Sequence, residues 1–157
     1  MFRSLAVLGA ALAAAAVLAE TASAAGGLSV SPSRLEVTAR SGASGTVTIT
    51  NSSTRKLRVS VRARPWRQAN NGTVAANRSR RLGRVRVSPA KFKLARGASR
   101  TISVRLRRVP ARGSLYGALD ILGKPAKRRS GINVAYRLVS SLRFNPTAGR
   151  RKLRLSA

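Results

Sequence analysis

The 157-residue chain carries 32 Lys and Arg against three Asp and Glu, a formal charge of +29, and has neither histidine nor cysteine. Without imidazole, thiol or neighbouring carboxylates it lacks the parts of general acid–base pairs, thiolate nucleophiles and ordinary metal sites. No nucleophile motif surrounds any serine, so the residues indicate a non-enzyme with no cofactor and no metal.

The chain starts with a short positive stretch, Met1-Phe2-Arg3, followed by an almost unbroken Ala/Leu/Val run from Leu5 to Leu18. Ala22-Ser23-Ala24 then offers an A-x-A cleavage site, so residues 1–24 read as a secretory signal peptide cleaved near Ala24. The run is too short and too Ala-rich for a membrane span, and no later stretch is long enough to be one. Setting Arg3 and Glu20 aside with the leader leaves 31 basic side chains facing only Glu36 and Asp120. An exported chain without cysteine has no disulfide, and its core must suffice.

After a flexible Ala25-Gly26-Gly27, "LSVSPSRLEVTA" (28–39) reads as a strand interrupted at Pro32, as edge strands carry proline. "RSGASG" turns, and "TVTITN" (46–51) places Val47 and Ile49 on one face. "LRVSVRARPW" (57–66) alternates, with Leu57, Val59, Val61 and Ala63 inward and Arg58, Ser60, Arg62 and Arg64 outward. Residues 67–83 carry few large apolar groups and read as a long exposed loop. "RVRVSP" (84–89) and "KFKLARGAS" (91–99) lead through a Gly turn to "RTISVRLRRV" (100–109), where Ile102, Val104 and Leu106 point inward. "SLYGALDIL" (114–122) is a mostly apolar strand and "GKPAKRRSG" (123–131) a basic loop. "INVAYRLVSSLRFNP" (132–146) is a last long strand, Ile132, Val134, Tyr136 and Leu138 sharing one face, ahead of a basic tail at 147–157.

About seven short strands with turn signals roughly every ten residues predict a single antiparallel β-sandwich over 25–146. The outward arginines read first as a solvated face, and Trp66, at a strand end, as a core or rim aromatic. So basic a surface attracts polyanions, among them anionic cell-envelope polymers and lipids. The basic residues are nonetheless spread through every strand and loop. With no groove-reading helix, zinc module or aromatic stacking platform, specific nucleic-acid recognition is not expected.

The order of segments resembles a known family. "GTVTITNSSTRKLRVSVRARPW" looks like the second and third strands of the PapD-like periplasmic pilus-assembly chaperones, with Asn51 at their characteristic turn. "VRVSPAKFKLARGASRTISVRL" is similar to their Pro-containing strand, Phe-x-Leu, Gly turn and strand ending in Arg. "VPARGSLYGALDIL" resembles their Ser-Leu-aromatic segment at Ser114, Leu115 and Tyr116, and residues 132–146 resemble the last strand of their N-terminal domain. The resemblance covers nearly the whole chain after the leader and implies an immunoglobulin-like fold in the periplasm or cell envelope. It also implies that the last strand lends alternate apolar side chains to an incomplete, pilin-like partner by β-augmentation.

Carried over position by position, the donor residues are Ile132, Val134 and Tyr136. The family's two-cation anchor for the partner's C-terminal carboxylate falls on Arg34 and on Ser141, which is no cation; Arg137 or Arg143 would have to substitute. A second departure is that only eleven residues follow Pro146, too few for the second domain of the two-domain chaperones. On this bacterial reading the glycosylation sequons at Asn51, Asn71 and Asn77 are chance matches. Two functions follow: an exported protein-binding module working through a strand edge, or a cationic structural or adhesive envelope protein binding anionic cell-surface polymers.

Overall fold

The computed structural model describes residues 22–24, 26–111, 113–127 and 130–146. The start of the expected leader, Arg128 and Arg129, and the expected basic tail lie outside the described residues. The strands are β1 (Ala22–Ala24), β2 (Leu28–Ser31), β3 (Arg34–Ala39), β4 (Ser44–Thr50), β5 (Leu57–Arg64), β6 (Trp66–Gln68), β7 (Val74–Ala76), β8 (Val85–Ser88), β9 (Lys91–Leu94), β10 (Ser99–Leu106), β11 (Leu115–Pro125) and β12 (Tyr136–Pro146). One sheet has the order β1-β2-β4-β10-β8, the facing sheet β3-β12-β11-β5-β9, and β6-β7 is a separate hairpin.

The expected β-sandwich is present, and alternation explains how it closes. Val47 and Ile49 of β4 and Ile102, Val104 and Leu106 of β10 are buried from one sheet. Leu57, Val59 and Val61 of β5, Leu119 and Ile121 of β11, and Leu142 and Phe144 of β12 are buried from the other. Side chains two apart on a strand share a face, so each sheet contributes one apolar layer. Pro32 divides the 28–39 segment into β2, which pairs antiparallel with β4, and β3, which pairs parallel with β12. One sequence segment thus serves both sheets, and the seven segments read from the sequence become more, shorter strands.

Asn51 joins the ends of three strands. It is fully buried, and its Nδ2 donates to the carbonyls of Arg55, Leu94 and Ala95. Its Oδ1 accepts from the backbone N–H and hydroxyl of Ser53. With that amide nitrogen spent on three carbonyls, the folded chain has none to offer a glycan at Asn51.

Two expectations are corrected. Residues 67–83 contain the hairpin β6–β7, with Trp66 opposite Ala76 and Gln68 opposite Val74, rather than loop alone. Its short strands carry too little alternation to be read from sequence. Arg64 is not an outward solvated arginine but is 5% exposed. Its guanidinium bonds the Asp120 carboxylate and the carbonyls of Arg78 and Arg80, in the segment that covers it.

Candidate functional site

The last strand begins later than its alternation implies. Pairing of β12 with β11 runs from Tyr136 opposite Gly123 to Phe144 opposite Leu115, and Gly131–Ala135 precede the strand. On its other side β12 pairs with β3 only from Ser141, opposite Arg34, to Pro146, opposite Ala39. Among the described residues, no strand pairs with the far side of Tyr136–Val139. β12 is therefore half interior and half edge.

The three donor positions differ in surroundings. Ile132 is 88% exposed and Val134 52%. Both lie by Ser53, Thr54 and Pro125, beyond the point where the opposing sheet covers the inner face. Tyr136 is partly buried against the core, its ring over Gly27 so closely that a Cβ there would lie 2.2 Å from Cε1. Leu138 also packs on the core, while Val139, on the opposite face, is exposed. Val139 is not singled out in the sequence, although an apolar residue next in line after Leu138, on the other face of the alternation, is the available signal.

The candidate anchor cations lie on β3 and β12. Arg34 and Ser141, the two positions on which the expected anchor falls, are direct cross-strand partners. Arg34 makes an exposed 3.7 Å ion pair with Glu36, of a kind worth at most about 1 kcal/mol. Arg137 is held by Asp120, with Nε 2.7 Å from Oδ1 and Nη2 2.8 Å from Oδ2. The other partner of that carboxylate is Arg64 Nε at 2.8 Å. The hydrogen bond from Arg137, opposed by burial and reinforced by Arg64, holds the Asp120 carboxyl below the usual range. Arg143 lies over the Tyr116 ring, 5.2 Å from its centroid, and its buried Nε has no hydrogen-bond partner. Of the two proposed substitutes, Arg137 is committed to Asp120, whereas Arg143 stands opposite Glu36 in the row next to Arg34.

The arrangement has counterparts among solved structures. PapD-like domain 7 of human CEP192 superposes with a TM-score of 0.58 at 14% identity, covering 89% of this chain and all of that one. A chain in the Salmonella enterica structure of the SafA pilin with the SafB chaperone matches with a TM-score of 0.58 at 16% identity, covering 81% of this chain and 58% of that one. The Escherichia coli chaperone DraB gives 0.56 at 16%, covering 76% of this chain and 55% of that one. The fold is PapD-like. This chain spans little more than half the length of the chaperones it matches and the whole of the CEP192 domain. No protein-family model and no curated protein sequence matches it.

Proposed function

We propose that this chain is a non-enzymatic, periplasmic or envelope protein-binding module that takes a strand of its partner onto the free side of β12. The observation that carries the reading is the half-edge itself. Among the described residues no strand pairs with one side of Tyr136–Val139, a stretch continued by the exposed apolar Ile132 and Val134. A partner strand laid there completes a ladder, and alternate apolar residues give it register. The structural neighbours include a chaperone solved with its pilin, which supports a partner of incomplete immunoglobulin-like fold. Arg34, whose exposed ion pair with Glu36 is weak, can exchange that carboxylate for a partner's, with Arg143, opposite Glu36, as a second cation.

The test is complex formation between the full chain and a pilin-type subunit deleted of its own completing strand, at high salt so that charge-driven contacts are screened. Ile132→Asp with Val134→Asp is expected to abolish the complex while the variant melts as the parent does. Undiminished binding by that folded variant overturns the reading.

A further inference from the structure

The outer face of the β9–β5–β11 sheet region carries a second feature that augmentation at β12 does not use. Register places Lys93 opposite Arg58 and Arg58 opposite Lys124, three cations in one row across three adjacent strands. In the next row Lys91 stands opposite Ser60, and Arg62 lies two residues beyond. Like charges directly opposite one another on a sheet destabilise it. None of these side chains has a described carboxylate within ion-pairing distance, because the described acids are Glu36, paired to Arg34, and Asp120, paired to Arg64 and Arg137. The row flanks an open groove of about 870 Å³ whose apolar lining includes Leu122 and Pro125. A face that concentrates repulsion along a groove is suited to an anion that relieves it.

We infer that this groove binds a linear phosphate polymer without bases. The chemistry of the groove selects among polyanions. Lys and Arg are donors only, so the matching ligand is acceptor-rich along its whole length, as a phosphate chain is. An acidic peptide brings a backbone N–H with nearly every residue, whereas the groove's cations outnumber the acceptors that Ser60, Ala126 and Asn133 bring to its lining. Single-stranded nucleic acid is held in part by stacking on aromatic faces, and the one aromatic residue lining the groove, Phe92, packs on the core with Arg100 over it at 5.3 Å from its centroid. The groove also touches the proposed donor segment: Asn133 and Ala135 line it, while Ile132 and Val134 line a separate hollow beside it. A polymer in the groove therefore touches the stretch that leads into β12.

The experiment measures binding of medium-chain inorganic polyphosphate to the full chain by fluorescence anisotropy across a salt series. Poly-glutamate and poly-thymidylate of matched charge serve as competitors. Lys93→Gln with Lys124→Gln is expected to weaken polyphosphate binding by about tenfold or more and to lower the salt slope by about two. Arg86→Gln with Arg105→Gln, a cross-strand pair in the other sheet, removes the same charge and is expected to change affinity by less than about threefold. Polyphosphate is also expected to raise the melting temperature of the parent more than that of the Lys93/Lys124 variant. Equal losses in the two double variants, or a competitor that displaces polyphosphate at lower concentration than polyphosphate itself, overturn the proposal. Because Ile132 and Val134 are unchanged in these variants, either result leaves the β12 reading separately testable.

Discussion

Asp120 sits between two arginines on adjacent strands, 4% exposed and bonded by Arg64 and Arg137. Removing it strands the Arg64 guanidinium in a buried site. Asp120→Ala is therefore expected to destabilise the fold by about 3 kcal/mol or more, measurable by urea unfolding. Asp120 has a folded pKa below its unfolded one, so its contribution is complete above the ordinary carboxylate range. That contribution is lost as pH falls through the lowered folded value, and an acid titration of Asp120→Asn beside the parent should show the parent's extra sensitivity there. Asn51 is a second polar residue whose partners outnumber its neighbours' alternatives. Asn51→Ala removes a buried donor from the Leu94, Ala95 and Arg55 carbonyls and an acceptor from Ser53, and is expected to cost about 2–3 kcal/mol.

At the scale of the element, β12 joins two roles along eleven residues. From Ser141 onward it is an interior strand between β11 and β3, with Leu142 and Phe144 buried. Before Ser141 it is unpaired on its β3 side, and its first inward residue, Tyr136, packs on the core with its ring over Gly27. The two halves should respond differently to charge. Val134→Asp is expected to leave thermal unfolding within about 0.5 kcal/mol of the parent, as exposed substitutions do. Tyr136→Asp removes a ring packed on the core and is expected to cost about 2–4 kcal/mol. Gly27→Ala drives a methyl into the Tyr136 ring and is expected to destabilise by about 1–3 kcal/mol through overpacking. Denaturant melts of the three variants check the ordering; equal losses for Val134→Asp and Tyr136→Asp would mean that Val134 is also core.

Across the whole molecule, the charge of +29 works against compactness. Natural edges are guarded by charge, and here the cations that flank the free half of β12 keep like copies apart while admitting an acidic partner. Screening that repulsion is expected to raise the melting temperature steadily with sodium chloride, the reverse of the weakening that salt imposes on polyanion binding. A melting temperature that falls over the same salt range would place the balance of charge interactions on the attractive side.

The class of fold was legible in the residues, because a two-residue period is local: Leu57, Val59 and Val61, or Ile102, Val104 and Leu106, declare a buried face without reference to any neighbour. The order of those segments with their Pro, Gly and Asn punctuation was enough to suggest the PapD-like arrangement that the structure has. Which residue stands across from which is not local. The alternation of β5 assigned Arg64 to solvent, and only the packing of residues 78–80 and Asp120 over it buries it. The same alternation ran unbroken from Ile132 to Leu138, although the strand starts at Tyr136, since pairing with β11 and not periodicity decides where a ladder begins. That β3 leaves the first half of β12 uncovered, and that Lys93, Arg58 and Lys124 align in one row, follow from strand register, which joins positions far apart in the chain and is set by tertiary packing.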